Sequence, residues 1–209
     1  MVTIREIRRD RRYSMLVLES GEQYRLRTED LAGTGLCEGA VLEEQEFHKW
    51  IRLLQYPRAI NIAVAMLARR PCSKGEIENR LLRAGVIPEI TELVIYKLEK
   101  EKLLDDEAFC EQWIRYRKEQ RYGPARIRQE LRIKGLPSQL IDSVLERTEE
   151  PDEEENNALT LARKAWTRIK PGEDLRKSRQ KVIVSLVRKG YSWEAARTAS
   201  DAAEYGIEQ

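Results

Sequence analysis

The residues whose type and spacing say most about chemistry are basic. Between Arg115 and Lys134 the sequence carries Arg115, Arg117, Lys118, Arg121, Arg126, Arg128, Arg132 and Lys134 against only Glu119 and Glu130. A second run holds Arg163, Lys164, Arg168, Lys170, Arg176, Lys177, Arg179, Lys181, Arg188 and Lys189, with Glu173 and Asp174 as its acids. Cations bunched with so few carboxylates between them suit phosphates or an acidic protein wall. A single arginine on a helix face is ordinarily just solvated, so it is the clustering that argues for binding. Across the whole chain Lys+Arg 38 nearly cancels Asp+Glu 36, so the distribution of charge and not its sum is informative.

Catalytic chemistries fit poorly. Gly33-Thr-Gly-Leu-Cys-Glu-Gly39 misses the dinucleotide fingerprint by one position and lacks its strand and helix, and there is no Gly-Lys-Ser/Thr phosphate loop. His48 has neither an acid nor a nucleophile at a recognisable spacing. Asp105 and Asp106, being adjacent, point in different directions and suit a helix start better than a metal. Cys37, Cys72 and Cys110 are odd in number and far apart, which argues against a zinc site or a disulfide framework and for a reducing compartment. The expectation is no enzyme, no cofactor and no metal. The N-terminus is charged where a secretory signal would be apolar, and the longest uncharged apolar run, Ile62 to Ala68, is too short to cross a bilayer. The sequence therefore reads as cytoplasmic, with no membrane partner.

The elements that must position the basic residues follow from a repeat. Ile77, Leu81 and Gly85 recur as Ile127, Leu131 and Gly135 and again as Val182, Leu186 and Gly190. Apolar residues at i and i+4 make one buried stripe of a short helix, and the glycine supplies the left-handed residue that ends it. Pro88, Pro137 and Ser192 then suit the start of the next helix. Each unit reads as three helices. The first helix spans Ala59 to Arg69 in copy one, begins at the acids after Leu104 in copy two, and spans Ala158 to Ile169 in copy three. In copy two, Phe109, Trp113 and Tyr116 share one face and read as core, while Glu111 and Arg115 form an outward i,i+4 pair. Arg128 and Arg132, one turn apart, share a surface. Copy one, poorer in clustered arginine and richer in aliphatics, reads as mostly structural.

The first fifty residues differ. Tyr13–Leu18 and Tyr24–Arg27 flank a turn at Glu19–Glu22 and read as a hairpin, Thr28–Leu31 as a helical turn, and Val41–Leu42 as a third strand. Glu43 to Tyr56 is a joining segment with helical character. The fold class expected is mainly α, a tandem array of three three-helix repeats, elongated and curved, with a small N-terminal extension containing a β-hairpin. The boundaries are 1–50 for the extension and 57–104, 105–148 and 156–205 for the repeats. The acidic stretch Glu149–Glu155 reads as a linker that lets copies two and three bend relative to each other.

Leu103-Leu-Asp-Asp-Glu-Ala-Phe109, Arg115 and Arg117, Tyr122-Gly-Pro-Ala-Arg-Ile-Arg-Gln-Glu-Leu131 and Lys134-Gly135 together resemble the central signature of the RecX family, bacterial regulators of the RecA recombinase. Ser73 to Gly85 and Lys181 to Ser192 are similar to that family's first and third repeats. A long match in several parts is more specific than one short motif. The resemblance implies an elongated helical molecule in the groove of a RecA filament on single-stranded DNA, blocking filament extension and curbing ATP turnover, strand exchange and co-protease activity. The candidate contacts are Arg115, Arg117, Lys118, Arg121, Arg126, Arg128, Arg132 and Lys134 in copy two, and Lys164, Arg168, Lys177, Arg179, Lys181, Arg188 and Lys189 in copy three. A different class, a sequence-tolerant DNA-binding helical module acting without RecA, stays open, because helix pairs joined by a turn resemble helix-turn-helix elements. A monomer is expected, since a solenoid with charged faces gives no reason for a dimer.

Overall fold

The structure, a computed structural model, describes residues 1–148, 152–169 and 173–205. Glu149, Glu150 and Pro151 of the acidic stretch, and Lys170 of the second basic run, lie outside the described residues. The chain divides into two compact units, Met1–Asp105 and Asp106–Gln209.

The first unit combines a sheet with three helices. Strands β1 (Val2–Arg9), β2 (Tyr13–Leu18), β3 (Gln23–Arg27) and β4 (Val41–Leu42) form an antiparallel sheet in the order β3-β2-β1-β4, with a 3-10 turn at Glu29–Leu31. The hairpin, the turn and the short last strand follow the sequence expectation, but β1 has no counterpart in it. The reason is geometric. Ile4 and Ile7 both point into the core although they are three apart, because the β1–β2 register slips between Ile4 and Glu6, so the alternation by which a strand is recognised is broken. Glu38 Oε1 accepts a hydrogen bond from the Ile7 amide at 2.8 Å just beyond that irregularity.

Helix α1 (Glu44–Leu67) fuses the joining segment of helical character with the helix expected from Ala59, running through Pro57. Its buried residues Phe47, Ile51, Gln55, Ala59 and Ala63 recur every four positions on both sides of the proline, so one continuous packing stripe outweighs one missing amide. The sheet residues Ile4, Leu16, Leu18, Tyr24 and Leu26 and the helix residues Phe47, Ile51, Ile77, Leu81, Val94 and Leu98 belong to a single core. Within it, Tyr24 meets Phe47 edge-on at 5.0 Å. Helices α2 (Lys74–Arg83) and α3 (Pro88–Lys100) complete the unit. Ser73 caps α2 in a reciprocal capping box with Glu76, and Pro88 opens α3.

The second unit holds α4 (Asp106–Glu119), α5 (Pro124–Ile133), α6 (Ser138–Arg147), α7 (Glu153–Trp166), α8 (Leu175–Lys189) and α9 (Trp193–Tyr205). One core gathers Cys110, Ile114, Ile127, Leu131, Ile141 and Val144, and a second gathers Ala158, Ala162, Val182, Leu186, Ala196 and Ala203. Helices of ten residues such as α2, α5 and α6 are marginal alone; burying each Ile or Leu of the stripe contributes about 1.5–3 kcal/mol and holds them.

The repeated glycine does what its spacing implies. Gly85, Gly135 and Gly190 take φ of 79°, 85° and 100°. In each copy the glycine amide bonds back to the carbonyl three residues earlier (Leu82, Arg132, Val187), and the next amide (Val86, Leu136, Tyr191) bonds to Leu81, Leu131 or Leu186. That is a Schellman closure, made three times with the same register. The residue after each glycine is buried at 3–4% exposure, which completes the motif's apolar contact.

Copies two and three are tied by more than the acidic stretch. The Gly123 amide donates to the Lys189 carbonyl at 2.9 Å, the Ala125 amide to the Gly190 carbonyl at 3.1 Å, and the Tyr191 hydroxyl to the Arg121 carbonyl at 3.1 Å. Lys118 Nζ donates to both the Thr148 carbonyl and Glu153. Bending at this junction, expected from the acidic residues, would have to break these bonds.

Candidate binding surface

The basic residues of copy two fall into two groups once their partners are seen. Arg117 is held: its Nε donates to Glu130 Oε2 at 2.7 Å, and its guanidinium lies 4.7 Å from the Trp113 ring centre and 5.0 Å from that of Tyr122. A half-buried pair stacked on aromatics positions helices and has little left to offer a ligand. Lys118 spans to Thr148 and Glu153, Arg126 pairs with Glu130 at 3.1 Å, and Arg128 pairs with Asp142 at 2.8 Å. Lys134 sits 4.0 Å over Trp113. Arg128 and Arg132 thus differ in kind: the first ties α5 to α6, and the second projects into solvent. The side chains of Arg115 and Arg121 are likewise exposed with no partner among the described residues, Glu111, expected to pair with Arg115, being taken by Arg147.

Copy three divides in the same way. Arg179 bonds Glu204 at 2.7 Å, Lys181 bonds Glu173, and Lys189 lies 4.3 Å over Tyr122. Lys164, Arg168, Lys177 and Arg188 are exposed and without a partner among the described residues. Of the candidate contacts in this unit, Arg115, Arg121, Arg132, Lys164, Arg168, Lys177 and Arg188 are therefore the ones exposed without a side-chain partner among the described residues.

The aromatics need a correction. Phe109 is core at 7% exposure, but Trp113 is only half-buried beneath Arg117 and Lys134, and Tyr116 is 49% exposed. The stripe bends out of the core because its three aromatics sit at i, i+4 and i+7, and the last drifts to the rim of the short bundle. In copy three Trp166 is anchored by its indole N–H to the Ser200 carbonyl at 3.1 Å, whereas Trp193 is 54% exposed. Tyr191 had no place in the sequence reading. It is buried at the junction, burial pushes its phenol up to about 12, and its hydroxyl donates to the Arg121 backbone carbonyl. Its position directly after the repeated glycine, where copies one and two have Val86 and Leu136, was the available signal.

Among the described residues no group of three His, Cys, Asp or Glu side chains is placed to hold a metal ion. Among the same residues no helix is long and apolar enough to cross a membrane.

Comparison with known proteins follows the repeats. Residues 105–145 match the family description "RecX, second three-helix domain", and residues 152–199 match "RecX, third three-helix domain". The chain is 34% identical over 91 residues to the regulatory protein RecX of Haemophilus ducreyi, a match covering 44% of this chain and 60% of that one. It is 29% identical over 196 residues to the regulatory protein RecX of Enterococcus faecalis, covering 93% of this chain and 73% of that one. Two crystal structures share the fold. One, of regulatory protein RecX, superposes with a TM-score of 0.64 at 24% identity over 96% of this chain and all of its own. The other, RecX from Lactobacillus salivarius, gives 0.63 at 22% identity over 72% of this chain and 97% of its own. Matched in its second and third repeats in the family's own order, and along nearly its whole length by a curated member, this chain is similar to the RecX family.

Proposed function

We propose that this chain is a cytoplasmic, monomeric regulator that binds the RecA filament on single-stranded DNA and inhibits its extension, ATP turnover, strand exchange and co-protease activity. In this reading residues 57–104, 105–148 and 156–205 act as its helical repeats and residues 1–50 as an extension. The family supports the class of partner. The observation that carries the reading within this chain is the set of exposed cations in α4–α9 left without an internal partner among the described residues. Cations already neutralised inside the protein gain little from a second anion, whereas Arg115, Arg121, Arg132, Lys164, Arg168, Lys177 and Arg188 keep their full field for an acidic protein wall or a phosphate.

The mechanism is occupancy. A protein seated in the filament groove excludes the duplex that strand exchange needs and the protomer that growth needs. Inhibition should therefore be stoichiometric and weaken as salt screens the contacts. The test is RecA ATP turnover and strand exchange at increasing ratios of this protein. No effect on either at protein excess ends the proposal. Tight, salt-steep binding to bare DNA with no effect on RecA establishes the alternative, a DNA-binding module that acts without RecA.

A further inference from the structure

The first unit contains an open groove of about 670 Å³ between the sheet and helices α1 and α2. Six arginines line it: Arg25 and Arg27 from β3, Arg58 and Arg69 on or just beyond α1, and Arg80 and Arg83 from α2. Asp30 is the single acid in its lining. No two elements supply more than four of the six, which is why copy one reads as poor in clustered arginine along the chain.

The groove is built and not merely charged. The Tyr13 ring carries two guanidiniums, Arg25 at 4.1 Å and Arg58 at 4.8 Å. The stem of Arg25 lies on Gly85, where a Cβ would fall 2.8 Å from Arg25 Cβ, so that glycine both closes α2 and leaves room for this arginine. Arg58 Nη2 donates to the Ala84 carbonyl at 3.0 Å, while its Nη1 is shielded from water and has no acceptor among the described residues. Like charges held this close over one ring repel, and an anion in the groove offsets that repulsion. Arg69, Arg80 and Arg83 are exposed with no internal partner among the described residues and extend the positive lining from Arg58 along α1 and α2.

We infer that this groove takes the sugar–phosphate backbone of a nucleic-acid strand. Arg27 already bonds Glu29 at 2.7 Å, but the remaining guanidiniums, drawn from three elements, fit a repeated anion better than one isolated phosphate, since separate forks can meet separate phosphates. Both guanidiniums on Tyr13 occupy the ring that would otherwise stack a base, so recognition is of the backbone and is independent of sequence. This deepens the function proposed above, on which it rests for its setting, by assigning the DNA contact of a nucleoprotein partner to the first unit.

The test uses the full chain and a labelled single-stranded oligonucleotide without RecA, titrated by anisotropy across a salt series, for the native protein and for R69S/R80S/R83S. Expected is a loss of affinity of about tenfold or more and a salt slope shallower by about 2, for three phosphate contacts removed at roughly 0.7 each. Because these side chains are exposed, the melting curve should be unchanged. K49S/R52S/K100S, which removes as many exposed cations of the same unit from outside the groove, should bind nearly as the native protein does. The same series on a duplex shows which form of DNA the groove holds. Affinity and slope equal to native on both forms overturn the inference. So does an equal loss in the K49S/R52S/K100S control, or displacement of the oligonucleotide by poly-glutamate as effectively as by poly-phosphodiester at equal charge. RecA inhibition is read separately with the native protein, so its failure strikes the proposed function and leaves the oligonucleotide result standing.

Discussion

Gly123 lies against Gly190 so closely that a methyl group on either would collide with the other's backbone. A Cβ on Gly123 would fall 2.6 Å from the Tyr191 nitrogen, and one on Gly190 would fall 2.5 Å from the Arg126 nitrogen and 2.9 Å from the Gly123 carbonyl oxygen. Gly123 has φ of −76°, a value any residue adopts, so contact alone requires glycine there. Gly123→Ala should therefore cost about 3 kcal/mol, read from urea denaturation. Gly21→Ala is the control: it sits at φ 92° with nothing within 4 Å and should cost only about 1 kcal/mol.

Gln55 plays a joining role of another kind in the first unit. Its Nε2 donates to the carbonyls of Arg25 at 3.1 Å and Gly85 at 3.0 Å, and its Oε1 accepts from the Ile87 amide at 3.0 Å. One side chain at 1% exposure thereby ties the sheet to the α2–α3 turn across α1. Gln55→Leu keeps the volume but strands three backbone groups, for an expected loss of about 2–4 kcal/mol by thermal or urea melting.

Alkaline pH should find two tyrosines. Burial raises Tyr191 and Tyr24 from 10.0 to about 12, with the Glu22 carboxylate adding to the effect on Tyr24. Below pH 10 both the folded and unfolded chains keep these protons, so the contribution is complete. Above it the unfolded chain ionises first, and stability falls as pH rises toward 12. Urea midpoints at pH 8, 9.5 and 10.5 should decline. Tyr191→Phe should start about 1 kcal/mol lower for the lost bond to Arg121 and then decline less steeply.

Arg117 and Arg132 belong to the same basic run but should respond oppositely. Arg117→Ala loses the Glu130 pair and the stack on Trp113, and should destabilise by about 1–2 kcal/mol. Arg132 is exposed with no side-chain partner among the described residues, so Arg132→Ala should leave stability within about 0.5 kcal/mol while weakening inhibition of RecA. Melting curves and ATP-turnover titrations of the two variants separate the roles. Normal inhibition by Arg132→Ala would remove that residue from the binding surface.

Local signals were readable wherever they were complete within a few residues. Gly85, Gly135 and Gly190 needed only their own conformation and an apolar stripe one turn earlier, and Ser192, whose hydroxyl accepts from the Ala195 amide, needed only its place before a helix. Strand β1 was hidden because a register slip put Ile4 and Ile7 on one face. The helical character of Glu43–Tyr56 was legible, but its continuity with the helix after Pro57 was hidden because a proline commonly marks a boundary, and only the packing of Phe47 and Ile51 on the sheet overrides it. The binding residues were the least legible. Sequence gives the positions of arginines but not the carboxylates that reach them from other helices, such as Asp142 to Arg128 or Glu204 to Arg179.

The long helix α1 serves two neighbours, its first turns lying under the strands and its last turns beside α2 and α3. Cutting the chain after Leu42 would therefore not release a self-sufficient helical fragment. It would leave Phe47 and Ile51, both fully buried, on a bare helical stub, the kind of greasy end that chaperones and proteases seek. A trimmed version meant to stay in solution has to shed that stub as well, or recolour it with polar residues at those two positions.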